Sequence, residues 1–192
     1  MDCIDEYLKE NLKPTRLEHT YNVRDMALEL AGIYGADRGK TEQAALYHDM
    51  CKGKDYTEDK LNEYVKKFGL DEKYLNNSAL SHSKVAAKIM EEELGITDRD
   101  VLNAVSFHTT GRPGMSMLEK IIFIADAAEP GRTYEGAEKI RETAYTDIDK
   151  ACLMALENTI KYVISSGGDL DEDSVHTRDW FLEMEKERRK NG

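Results

Sequence analysis

Four of the five histidines in this 192-residue chain, His19, His48, His82 and His108, fall on the apolar stripes of segments that read as helices. His19, Val23, Met26, Leu30 and Ile33 recur at steps of four, three, four and three, the spacing that keeps side chains on one buried face. His82 leads Val85, Ile89 and Glu93 or, one column over, Ala86 and Met90. His108 completes the series Val101, Ala104 or Val105, and His48 follows Ala44 and Ala45. A single histidine so placed is most often satisfied within a core. Four in separate segments weaken that reading, because every imidazole brings polar nitrogens that an interior must satisfy. Two aspartates join them: Asp49 directly after His48 at the end of AALYHDM, and Asp126 in IIFIADAAEP. A carboxylate among that much hydrocarbon must be paired, strongly hydrogen-bonded or bound to metal, and metal satisfies all six groups at once.

Imidazole and carboxylate donors without thiolate suit iron, manganese or another borderline divalent ion. One ion could not use all six groups and still take a substrate and a water. Two ions sharing Asp49 as a bridge would retain a net charge of about +2 after the two carboxylates, a phosphate trap in a chain whose formal charge is -11. Such a pair, about 3.5 to 4 Å apart, can generate hydroxide at neutral pH and stabilise both attacking and leaving oxygens of a phosphoryl transfer. Basic residues follow the proposed ligands at short intervals. Lys52 lies three positions past Asp49, Arg112 sits in HTTGRPGM just after His108, and Arg132 is six residues beyond Asp126. Each alone reads as a solvated surface cation; together they read as phosphate clamps, with Gly111, Pro113 and Gly114 forming a turn to aim Arg112. Glu129 beside Pro130 reads as a cap of its helix end or as an acceptor for a sugar or base, the cap being preferred. His176, amid polar residues, reads as structural or surface, and Trp180 and Phe181 as pins of the last helix to the core.

The elements that must position these residues are helical. Composition is 40% hydrophobic and 34% charged with only 3 prolines, which describes a solvated globular chain. Thr15 with Glu18, Thr97 with Asp100 and Ser116 with Glu119 resemble capping boxes and place helices at about 15–34, 97–109 and 116–128. Further helical runs fall near 38–51, 57–68, 79–94, 134–143, 147–165 and 173–189. No segment sustains the alternation of a strand, so the expected fold is all-α. A single domain over 1–192 follows, with a metal-binding core at about 15–130 and C-terminal helices at about 134–189 packed on it. Cys3, Cys51 and Cys152 have no CxxC spacing and read as plain thiols. No apolar run approaches the ~18 residues of a membrane span, and acids occupy the positions where a signal peptide starts basic, so a cytoplasmic protein is expected. The acidic balance argues against long nucleic acid as a partner, and the frequency of twofold assemblies favours a homodimer.

The order His19, His48-Asp49, His82, His108, Asp126 resembles the HD-domain metal-dependent phosphohydrolases. YHDMCK at 47–52, HTTGRPGM at 108–115 and LEKIIFIADAAEPGR at 118–132 are similar to the bacterial symmetrical bis(5'-nucleosyl)-tetraphosphatase branch of that superfamily. The resemblance implies an all-helical domain that holds two metals, iron first among the candidates, and cuts diadenosine tetraphosphate into two ADP. By it His19, His48, Asp49 and Asp126 hold one ion, Asp49 bridges to a second held by His82 and His108, and a bridging hydroxide attacks a phosphorus. Lys52, Arg112 and Arg132 match phosphate-facing positions, so Asp49 and these three cations make up the catalytic set. His19 sits in EHTYNV where relatives more often have RHT or IHT, and Thr110 stands where Ser is common; neither departure removes a ligand. Two other readings stay open: an HD-domain hydrolase of a mononucleotide or signalling nucleotide, and a noncatalytic helical protein with closed metal shells.

Overall fold

Helix α1 (Asp2–Asn11) opens the fold, and the sequence reading did not assign it. Its charged surface hides a short stripe, Ile4, Leu8 and Leu12, whose four-residue steps bury all three side chains. The computed structural model describes residues 2–168 and 170–191, which carry ten α-helices and two 3-10 turns and no strand. The Cys3 side chain lies outside the described ones; Cys51 and Cys152 are buried free thiols. No helix is long and apolar enough to cross a membrane among the described residues.

The helix starts are set by local chemistry, not always by the residues expected. Pro14 occupies the first turn of α2 (Pro14–Tyr34), and its N-cap Lys13 makes no side-chain bond, so the Thr15–Glu18 box does not form; proline's fixed φ pre-organises that position without losing an intrahelical donor. Asp98, not Thr97, caps α6 (Arg99–Phe107) by accepting from the Asp100 and Val101 N–H groups. Ser116 and Glu119 do form the box that starts α7 (Met117–Ala128). The expected 38–51 helix is shorter: α3 (Arg38–Tyr47) stops before the His-Asp pair, Asp49 leaves helical geometry at φ -110° and ψ 18°, and a 3-10 turn follows at Met50–Lys52. The remaining helices are α4 (Glu58–Lys67), α5 (Ser78–Glu92), α8 (Ala137–Ala144), α9 (Ile148–Ser165) and α10 (Glu172–Asn191).

The core is one cluster into which α2, α3, α5, α6 and α7 each send a stripe, among them Val23, Leu30, Ala45, Val85, Met90, Val105, Ile121 and Ile124. Full burial of an aliphatic side chain of this size stabilises by roughly 1.5–3 kcal/mol. Ile33, the last of the α2 series, is half exposed because the helix runs past the core before Gly35 ends it. α2 packs on α3 and α7, and α6 packs on α3, α5 and α7. The His-bearing turns of these helices therefore converge. α9 covers α7 and α8, and α10 lies along α9 with Phe181 buried in the core.

Candidate metal centre

Six side chains on or just past the ends of five helices meet inside this bundle. His19 stands in the second turn of α2, His48 and Asp49 just past α3, His82 in α5, His108 at the end of α6 and Asp126 in the last turn of α7. His19 Nε2 lies 3.0 Å from Asp126 Oδ1 and 3.8 Å from Asp49 Oδ2, and His48 Nε2 lies 3.6 Å from Asp49 Oδ2 and 4.0 Å from Asp126 Oδ1. On the other side His82 Nε2 and His108 Nε2 are 3.1 Å apart, at 3.3 Å and 3.6 Å from Asp49 Oδ1. The two oxygens of Asp49 thus face two different sets of donors. The early end of α3 makes this possible: on a continuing helix, neighbouring side chains would diverge by about 100°.

The arrangement fits a divalent metal. Two nitrogens each about 2.1 Å from one ion sit about 3.0 to 3.4 Å apart when they subtend 90° to 109°, which matches the 3.1 Å between His82 and His108. His19, His48 and Asp126 form one trio of ligand atoms within 4.8 Å of one another, and His48, Asp49 and His108 form another. Among the described residues His19 Nε2, His48 Nε2 and Asp49 Oδ1 are buried without a hydrogen-bond partner, a costly condition unless another species takes their lone pairs. The outer nitrogens are all held. His48 Nδ1 donates to Ala45 O at 2.7 Å, His82 Nδ1 to Ser78 O at 3.0 Å and His108 Nδ1 to Val105 O at 2.7 Å, while His19 Nδ1 meets Glu129 Oε1 at 3.1 Å. A proton on Nδ1 leaves the inward Nε2 as a ligand. Burial also pushes His48 and His82 down to about 4, which keeps both neutral and ready to ligate. Against the burial that favours their neutral forms, Asp49 and Asp126 are held well below the usual carboxylate range by the groups around them, the Lys52 cation among those of Asp49.

The HD domain family profile matches residues 16–131 of the chain, a span that contains all six of these residues. The chain belongs to the HD domain family. A symmetrical bis(5'-nucleosyl)-tetraphosphatase of Halalkalibacterium halodurans is 40% identical over 187 residues, 94% of this chain and 96% of the relative. One of Bacillus subtilis is 34% identical over 176 residues, 91% of this chain and 94% of its own. These matches place the chain in the symmetrical bis(5'-nucleosyl)-tetraphosphatase branch of the family. A solved structure from Clostridium acetobutylicum, described as a predicted HD superfamily hydrolase involved in NAD metabolism, matches with a TM-score of 0.89 and 42% identity over 95% of this chain and 97% of that one.

Three cations border the centre of this HD domain, each with about a third of its side chain exposed. Arg132 Nη2 donates to Asp126 Oδ1 at 2.8 Å, Lys52 Nζ lies 3.8 Å from Asp49 Oδ1, and Arg16 Nη1 donates to Asp49 Oδ2 at 2.8 Å. Arg16 was missed in the sequence although it stands three residues before His19, on the same helical face. Arg112 is placed differently from the expectation. Its Nε and Nη2 form a two-pronged contact with Glu119 at 2.6 Å and 3.0 Å, and among the described residues no hydrogen bond or ion pair joins it to the six. The cause is Glu119 itself, which is 1% exposed and needs a counter-charge beyond the Ser116 N–H it accepts. The 111–114 turn aims Arg112 at that carboxylate. Gly111 allows the turn with φ 65°, and a Cβ there would meet Thr177 Cγ2 of α10 at 2.8 Å.

Two further residues support the site. Glu129 is the C-cap of α7, the role preferred from its sequence position, and its carboxylate is also buried behind His19. Arg141 of α8 donates to Ala128 O, Glu129 O and Arg132 O at 2.6 Å, 2.9 Å and 3.1 Å. It thereby occupies the carbonyls left open at the end of α7. Nothing near Arg141 in the sequence signals this contact.

Proposed function

We propose that this chain hydrolyses diadenosine tetraphosphate and related dinucleoside polyphosphates symmetrically, releasing two nucleoside diphosphates, at a centre of two divalent ions. The observation that carries the reading is the pair of oxygens of Asp49, one turned to His19, His48 and Asp126 and the other to His82 and His108. His19, His48, Asp126 and Asp49 Oδ2 would hold one ion, and His82, His108 and Asp49 Oδ1 the second; these nitrogen and oxygen donors suit iron, manganese or another divalent ion, and the family resemblance puts iron first. Ions bound there supply Lewis-acid chemistry, acidifying a water and taking up charge on phosphoryl oxygens. The chain's own cations supply the rest. Arg16 and Arg132 bond the carboxylates of the centre and Lys52 stands beside them; with those carboxylates neutralised, their N–H groups would be free for nonbridging phosphate oxygens. Arg132 offers a planar fork, held from behind by its Nε bond to Asp126 O at 2.9 Å. In this proposal Arg112 acts through Glu119 and the turn it anchors. The name of the Halalkalibacterium relative supports the substrate assignment.

The same proposal includes a single domain, a cytoplasmic setting and a homodimer, the last tested by sedimentation equilibrium against the 21.9 kDa monomer mass. The function is tested by incubating freshly prepared, metal-loaded protein with diadenosine tetraphosphate, NAD+, ADP, ATP and a cyclic dinucleotide and resolving the products. ADP as sole product of the tetraphosphate is expected. ATP plus AMP would contradict symmetric cleavage. Survival of the tetraphosphate while a mononucleotide or NAD+ disappears would contradict the substrate, and NAD+ belongs in the panel because the Clostridium relative is described by NAD metabolism.

A further inference from the structure

Glu129 differs from every other group behind the centre. His48, His82 and His108 donate their outer nitrogens to neutral backbone carbonyls of their own helices, whereas His19 alone faces a carboxylate. That carboxylate is 3% exposed, and its second oxygen accepts the Gly131 N–H at 2.5 Å. Among the described residues its one ion-pair partner besides His19 is Arg132, whose Nε stands off at 3.9 Å, beyond hydrogen-bond reach, so much of its charge bears on the His19 N–H. A carboxylate behind a ligating imidazole fixes the tautomer and the ring, and makes the opposite nitrogen a stronger donor. The backbone is shaped around this group. A Cβ on Gly131 would lie 2.9 Å and 3.0 Å from the two Glu129 oxygens, so that the carboxylate would have to move, and Arg141 ties down the Ala128, Glu129 and Arg132 carbonyls of the same turn.

We infer that Glu129 is a positioning residue for the metal centre: it holds His19 with Nε2 turned to Asp126 and Asp49, and it makes the ion position on that side the tighter of the two. The count of ligand atoms runs the same way. The His19 side has Asp126 and Asp49 Oδ2, whereas the His82 and His108 side has Asp49 Oδ1 alone. The inference rests on the metal-centre reading of the proposed function and is independent of the substrate.

The test is a titration of chelator-stripped protein with Mn2+, following free Mn2+ by electron paramagnetic resonance, for the parent, Glu129→Gln and Gly131→Ala. Gln keeps the size but loses the charge and one of two acceptor oxygens; Ala keeps the charge and displaces the carboxylate. The parent is expected to bind in two steps. Glu129→Gln should weaken the tighter step by about 10 to 100-fold, the usual scale for a lost outer partner, and leave the weaker step within about threefold. Gly131→Ala should act in the same direction by a smaller factor, and carries the test alone if the Gln variant fails to fold. A purely structural role would lower the melting temperature of the metal-free variants without moving the affinity of the folded protein. Parent-like Mn2+ affinity in both variants overturns the inference, and equal weakening of both steps overturns the assignment to the His19 side. A parent that binds no Mn2+ overturns the metal-centre reading itself, so the two failures are distinct.

Discussion

Replacing Arg112 by alanine should reveal a strut. The substitution leaves the Glu119 carboxylate 1% exposed with the Ser116 N–H as its remaining partner. Breaking a buried pair by removing one member costs about 3–5 kcal/mol. Arg112 is itself 36% exposed, so water screens part of that interaction and about 2–3 kcal/mol is the better expectation. For a domain of this size, with ~2–4 °C per kcal/mol, the melting temperature should fall by roughly 4–12 °C. Adding Glu119→Gln to Arg112→Ala removes the stranded charge and should recover part of the loss, about 1–2 kcal/mol, which a double-mutant cycle isolates. Metal content should stay at the parent value. The assay is thermal and urea unfolding of the four proteins at matched metal loading and ionic strength, with kcat/KM measured well below every midpoint. If Arg112→Ala melts with the parent, the second substitution rescues nothing, and kcat/KM falls by 100-fold or more, the strut is refuted and Arg112 is a phosphate clamp.

Other perturbations separate the remaining roles. Asp49→Ala should nearly abolish turnover and lower bound metal with it; normal activity with two ions retained would remove the bridge. Arg132→Ala should lower kcat/KM for diadenosine tetraphosphate by roughly 10 to 1000-fold, with Arg132→Lys recovering only part, and parent kinetics in both would deny it a phosphate contact. Metal-free protein should lose stability as pH falls from about 6.5 to about 4. Burial pushes His48 and His82 down to about 4, so the unfolded chain binds protons there that the folded one refuses, at up to ~1.4 kcal/mol per pH unit for each histidine. Equal urea midpoints at about pH 7 and pH 5 would contradict those neutral histidines.

The clustered residues were legible because imidazoles and carboxylates on apolar stripes conflict with the core around them, and that conflict shows in residue type and period alone. Their division about Asp49 was not, since 38–51 reads as one helical run and only the stop at Tyr47 turns both of its oxygens to use. α1 escaped notice because its short apolar stripe is diluted by charge in a chain that is 34% charged. Arg112 shows the limit of proximity along the chain: four residues past His108 places it on the correct loop, but the buried Glu119 decides where it points. Glu129 was placed at its helix end, while its partner His19 lies 110 residues away, beyond any local pattern. Arg141 depends equally on tertiary packing, in the contact of α8 with α7.

The central claim is a pair of ions bridged by Asp49, and anomalous-scattering maps from crystals of the iron- or manganese-loaded protein test it most directly. Two peaks about 3.5 to 4 Å apart, one against His19, His48 and Asp126, the other against His82 and His108, with one Asp49 oxygen on each, are the predicted result. A single peak at saturating metal, or two peaks with Asp49 ligating only one, would contradict it.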